Sequence, residues 1–196
     1  MQIMKKNLIV LCITFLLVSC SNTVDESSKL TVELNAQAQQ HYLDGDFKNS
    51  ISVYEKSLNI TEDYDTRKLL QEINEEYQFA FKTLELRKRM QDFNTTINEG
   101  VSTVNKAIQV AVELEKILAD LKELPTGGYQ ISNYTKELNH NPELISIELD
   151  LITLHLAIGK PDGKEIATRI ISINKAIETL LAIEIPSKYD LVLNDL

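Results

Sequence analysis

Hydrophobic and polar positions change period several times along this chain, and each change marks a predicted element. Lys5-Lys6 precede an apolar run from Leu8 to Val18, which closes in Leu17-Val18-Ser19-Cys20. A short basic flank, an apolar core of this length and small residues at the break describe a secretory signal over 1–19, too short to span a bilayer stably. Residues 21–29 are polar and aperiodic, which predicts a flexible tether. From Leu30 the spacing turns helical, with Leu34, Ala38 and Tyr42 recurring every four residues. Gly45-Asp46 interrupts it, and Phe47, Ile51, Tyr54 and Leu58 mark a second helix.

The next stretch, 66–124, carries no proline and the single glycine Gly100. Asp65 or Thr66 is placed to cap its start. Met90, Phe93, Ile97, Gly100, Val104, Ala107, Ala111, Leu114, Leu118 and Leu121 alternate steps of three and four, a heptad seam. One continuous helix or two helices fit this pattern. A globular domain seldom carries so long a rod. A break at Asn94-Thr95-Thr96, with Thr96 and Glu99 as a capping box, is therefore preferred. Pro125-Thr126-Gly127-Gly128 ends the stretch, and Tyr129 to Asn141 shows no period. Asn141-Pro142 opens a further helix, with asparagine as cap and proline at the first helical position. Ile145, Ile147, Leu149 and Leu151 also alternate as a strand would, but the Asn-Pro start, the length and the neighbours favour a broad-faced, mostly buried helix. After the turn Gly159–Gly163, Ile166, Ile170, Ile173, Ile177 and Leu180 mark another helix, stopped at Ile185-Pro186-Ser187, with a short helical piece to Leu196. The expected class is all-α, a helical hairpin followed by long antiparallel helices forming a bundle or short solenoid. Residues 30–196 are read as one domain, with 30–61 the hairpin, 66–124 the long helices and 142–196 the C-terminal helices.

Two stretches resemble known families. Leu17-Val18-Ser19-Cys20 resembles the lipobox of bacterial lipoproteins, in which the cysteine is acylated and becomes the mature N-terminus. The resemblance makes Cys20 the lipid anchor and places the rest outside the cytoplasm, on the cell membrane or on an outer membrane where there are two. The stretch Gly45-Asp46-Phe47 through Leu58 resembles the turn and second helix of a tetratricopeptide repeat, with Ser50 and Ser57 at the small-residue positions and Tyr54 at the aromatic one. It covers about one repeat, 30–61, and no second Gly-Asp-aromatic turn follows. The first helix departs from the family, with Leu34 where tryptophan is frequent. The resemblance implies that this helix lines a concave side, so that Asn35, Gln39, Tyr42 and Leu43 face a partner groove.

Charge narrows the partners. Removing 1–19 takes away Lys5 and Lys6 and leaves 18 basic against 29 acidic residues, a net of -11. Such a chain is a poor ligand for nucleic acid, which is held by clustered Lys and Arg, and for anionic lipid heads. Attachment therefore rests on acyl chains, each buried methylene contributing about 0.8 kcal/mol. Cys12 lies in the removed segment and Cys20 would carry lipid, so stability rests on packing without disulfides.

No catalytic constellation emerges. His41, His140 and His155 lack metal-ligand spacing. His155 and Glu148 share one side of a helix and are expected to form a hydrogen-bonded pair at the edge of the core. There is no nucleophile elbow, phosphate loop or free thiol, and Glu62-Asp63-Tyr64-Asp65 lacks the glycine and alternation of a calcium loop. The chain is expected to be no enzyme and to use neither cofactor nor metal. The leading expectation is a lipid-anchored module that meets an envelope protein. The alternative is a lipoprotein holding a small apolar or peptide ligand between its helices, using the broad face of 144–158 and the segment 129–141.

The anchor yields the first prediction. Cys20→Ser should abolish stable membrane attachment while leaving the helical domain folded. Labelling with a palmitate analogue, read with the mass of the N-terminal peptide, checks it: label on the wild type should vanish in the variant. Wild-type protein cleaved elsewhere and released without label would contradict it.

Overall fold

The computed structural model of the protein describes residues 26–124, 127–160 and 162–196; the expected signal segment, Cys20 and the first part of the tether lie outside them. The described residues are all-α: eight α-helices, one 3-10 turn and no strand. The helices are α1 over 26–43, α2 (Phe47–Ile60), α3 (Tyr64–Asn98), α4 (Val104–Lys122), α5 (Ile131–Asn139), α6 (Pro142–Gly159), α7 (Gly163–Leu181) and α8 (Asp190–Asn194). They divide into two compact units, one ending at Glu75 and the other running from Glu76 to Leu196, with the division inside α3.

In the first unit the Gly-Asp pair closes one helix and opens the next. Gly45 has φ +77, its N–H bonds to Tyr42 O (3.1 Å), and Asp46 N–H bonds to His41 O (2.8 Å). These are the two hydrogen bonds of a helix-terminating Schellman turn with glycine in the left-handed position. Asp46 then caps α2, its carboxylate accepting from Asn49 N–H. The ring of Tyr42 meets Phe47 edge-on at 5.7 Å, an apolar clasp over the turn. Ala38, Ser50 and Ser57 are fully buried. Both serines donate across the hairpin, Ser50 to Ala38 O (2.8 Å) and Ser57 to Thr31 O (3.5 Å), so the hydroxyls are satisfied where the helices approach. The tether expected over 21–29 is corrected at its end. Residues 26–29 are helical, with Thr31 Oγ1 bonding back to Ser27 O (2.8 Å). A fully solvated first turn carries no apolar period and so escapes a reading based on burial. At α3 the cap is Asp63 rather than Asp65 or Thr66: its carboxylate accepts from Thr66 N–H at 2.7 Å, and the Thr66 hydroxyl together with this N–H lowers its pKa.

In the second unit the expected break in 66–124 exists but lies later. α3 runs through Asn94-Thr95-Thr96 to Asn98, and the turn falls at Gly100, with φ +103. Thr96 is no cap. Its hydroxyl bonds to Asp92 O four residues back, within the helix (3.0 Å). Thr103 caps α4 instead, accepting from Lys106 N–H. Apart from Gly100 and Val104, the seam is buried on both sides of the turn: Met90, Phe93 and Ile97 on α3, and Ala107, Ala111, Leu114, Leu118 and Leu121 on α4. The segment after Tyr129, expected to be irregular, contains α5, with Ile131, Tyr134 and Leu138 buried. Nine residues show one apolar face for too few turns to register as a period. The stretch 145–158 is helical, capped by Asn141 with Pro142 at the first position. α6 packs mainly against α7 and more lightly against α4. Asp150, 6% exposed, accepts from the half-buried Arg169 of α7 at 2.9 Å, a charge pair joining the two helices.

Gly45→Val should destabilise the first unit by about 1–3 kcal/mol, the usual strain of a non-glycine residue in the left-handed region. Circular dichroism during thermal unfolding checks it; an unchanged transition would mean that the turn does not need that φ.

Candidate functional site

A cleft lies in the second unit, along one side of the hairpin formed by α3 and α4. Its origin is a second apolar stripe beside the buried seam. Ile108 and Val112 lie four residues apart on α4 and continue the helical row of the exposed seam residue Val104. All three remain about 40% exposed. Ile108, Val112, Val101 and the edge of Phe93 give an apolar lining to a cleft of about 680 Å³, rimmed by Arg89, Lys106, Glu113 and Lys116. Arg89 crosses from α3 to α4: one guanidinium nitrogen donates to Glu113 at 3.0 Å, and the other to Asp120 in a short contact. These bonds raise the pKa of Arg89, and its guanidinium, with a smaller contribution from Lys116 at 3.4 Å, holds the Glu113 carboxyl below the ordinary glutamate range. The rim charges are thus partly neutralised in place, leaving an apolar trough between α3 and α4. Such a surface suits an apolar helix or extended segment, or a small amphipathic ligand, since binding clefts of this kind enclose about 300–1,000 Å³.

Three of the four residues expected at a partner groove make contacts within the first unit. Asn35 donates to Thr66 Oγ1 at 3.1 Å, Gln39 accepts from the Tyr54 hydroxyl at 3.0 Å, and Tyr42 packs on Phe47. All three therefore serve contacts within the first unit, and burial raises the pKa of Tyr54. Leu43, 62% exposed, is the one of the four that faces solvent. His155 and Glu148 do not pair. His155 Nε2 lies 2.9 Å from Glu115, and Glu148 meets Lys122 at 2.6 Å, both across to α4. His41 sits by Asp46 at 3.3 Å and His140 against the Lys136 carbonyl at 2.7 Å. Among the described residues, no group of three or more His, Cys, Asp or Glu side chains is placed to hold a metal ion. Beside the start of α6, where a ligand space was expected with the segment 129–141, there is a hollow of about 320 Å³ touching Leu118, Leu144 and Ile145. The larger cleft on α3 and α4 was not expected, although Ile108 and Val112 are legible as a stripe one position along from the seam residues Ala107 and Ala111.

No protein-family model matches this chain, and neither a curated protein nor a solved structure does.

The Arg89–Glu113 pair predicts an acid dependence with a definite sign. A carboxyl whose folded pKa is depressed contributes stability above the ordinary glutamate range and loses it as pH falls through the folded value. The pair is 35% and 40% exposed, so screening keeps its contribution under about 1 kcal/mol. Glu113→Gln should therefore lower stability slightly at neutral pH and converge with the wild type at acid pH. Denaturant unfolding at several pH values checks this; a constant difference across the range would contradict it.

Proposed function

We propose that this protein is a lipid-anchored, extracytoplasmic helical module of a bacterial cell envelope, non-enzymatic, held to the membrane through acylated Cys20 and engaging an envelope protein through the cleft of α3 and α4. The observation that carries the interaction surface is the apolar trough of Val101, Ile108 and Val112 beneath the Arg89–Glu113 pair. The anchor is supported by the lipobox-like order of charge, apolar run, small residue and cysteine. No helix among the described residues is long and apolar enough to cross a membrane, so attachment in this reading falls to the lipid. The single hairpin of 30–61 similar to a tetratricopeptide repeat adds a second helical surface, on which Val32 and Leu43 are exposed apolar positions.

A second reading has its own support. The volume of about 680 Å³ also fits a small apolar or peptide ligand held by the same cleft.

A photo-reactive residue at Gln109, an exposed position lining the cleft, placed in the full-length protein in its native envelope, distinguishes the two. Under the leading reading one protein adduct should dominate, and Ile108→Asp with Val112→Asp should reduce it about tenfold or more, the effect of about 1.4 kcal/mol. Adducts of small-molecule mass alone would transfer the cleft to the second reading. No adduct of either kind would overturn both.

A further inference from the structure

We infer that α6 is the seam of a two-fold symmetric dimer of this chain, in which the α6 helices of two copies pack antiparallel. This goes beyond the function proposed above and uses a different surface.

α6 is apolar on two opposite sides. Its inner side, Ile147, Leu151, Leu154 and Ala157, is buried in the second unit. Its outer side carries Ile145, Leu149, Ile152 and Leu156, which remain 63%, 60%, 59% and 68% exposed. Their steps of four, three and four place them on one heptad seam, the pattern with which a helix meets another helix. A solvated face has no use for four large aliphatic residues in a row. Together they present on the order of 400 Å² per copy, in the range where an exposed patch on a monomer is commonly functional. Two copies bury about twice that, below the standard size of a stable interface, so the dimer is a reversible one.

The residues flanking the stripe select the occupant. Glu148 and His155 border it on the side facing α4, and Ser146 and Thr153 border it on the other. In a parallel pair each charged flank would face a small hydroxyl residue of the other copy. In an antiparallel pair like flanks face each other. Leu149 then stacks on Ile152 of the second copy and Ile145 on Leu156, which brings Glu148 opposite the other copy's His155 on both sides of the axis. Each of these groups already has a partner on α4, Lys122 at 2.6 Å from Glu148 and Glu115 at 2.9 Å from His155. The row across the seam thus reads Lys122, Glu148, then His155 and Glu115 of the second copy, alternating donor and acceptor. Ser146 and Thr153 demand nothing of the other edge; the Thr153 hydroxyl is bonded to Leu149 O within its own helix at 2.9 Å. An anionic membrane is a poorer occupant for a face bordered by Glu115 and Glu148 on a chain of net charge -9.

The test uses the full chain in detergent, with Cys12→Ser and Cys20→Ser so that only introduced thiols react. One tagged pool carries Ile145→Cys and a differently tagged pool carries Leu156→Cys. A disulfide needs Cα atoms within about 7 Å. The antiparallel register brings 145 of one copy against 156 of the other, whereas identical positions stand about 16 Å apart along the axis, at about 1.5 Å per residue. Oxidation of the mixture should therefore give covalent dimers carrying both tags, and either pool alone should give few. Adding Leu149→Asp and Ile152→Asp should lower the yield at least tenfold with the helical signal unchanged. Leu149→Gln with Ile152→Gln serves the same purpose if the acidic pair disturbs folding. Equal dimer yield in each pool alone, or none in the mixture, would overturn the inference.

Discussion

Glu76 is a carboxylate removed from water, 3% exposed, on the part of α3 that opens the second unit. Its Oε1 accepts from the Lys188 ammonium at 2.9 Å and from the Tyr189 hydroxyl at 2.7 Å. Tyr189, itself fully buried, accepts in turn from Ile131 N–H, the first amide of α5, at 3.1 Å. A charge withdrawn from solvent costs several kcal/mol unless it is paired and hydrogen-bonded, and removing one partner of such a pair is correspondingly destabilising. The C-terminal segment consists of a 3-10 turn and a five-residue helix, neither of which is stable in isolation. Its position follows from Glu76, and so does the start of α5.

Arg87, eleven residues further along α3, extends the same arrangement. Its guanidinium donates to the Tyr134 hydroxyl at 2.8 Å and to the carbonyls of Leu181 (2.5 Å) and Ile183 (3.1 Å). The last carbonyls of α7 have no partners within their own helix, and a cation there satisfies them and suits the helix dipole. Burial raises the pKa of Tyr134 and the guanidinium works against that rise. One face of α3 thus fixes α5, the end of α7 and the C-terminus, while Arg89 reaches α4 on another. With α7 held at its end and α6 pinned to it through Asp150 and Arg169, the outer stripe of α6 has no partner among the described residues. The cleft of α3 and α4 and the stripe of α6 are thus separate surfaces on one scaffold.

The helical class was legible because long amphipathic stretches repeat their period many times. The Gly45-Asp46 turn and the Asn141-Pro142 start were legible because capping chemistry is local. Gly100 carries the same kind of information, yet Asn94-Thr95-Thr96 looks the weaker point of the stretch, because β-branched polar residues disfavour a helix. Thr95 and Thr96 instead bond back to their own backbone, and the helix continues. α5 was too short for its period to stand out. The polar ties of Glu76, Lys188 and Tyr189 join positions 112 and 113 residues apart, and no spacing rule connects them. Heptad spacing marks a face that meets another helix without saying whether that helix lies in the same molecule, so the helix of 145–158, expected to be mostly buried, leaves Leu149 and Ile152 in solvent.

The dependence of the second unit on the Glu76 pair is tested most directly by amide hydrogen exchange, residue by residue, in Lys188→Met. The substitution keeps most of the side chain's bulk and removes the Lys188 ammonium that donates to the buried carboxylate. Protection over Ile131–Asn139 and over 187–194 should fall on the order of a hundredfold, while that of α1 and α2 stays as in the wild type. Unchanged protection in α5 and the C-terminal segment would show that packing alone holds them, and would contradict the central role of Glu76.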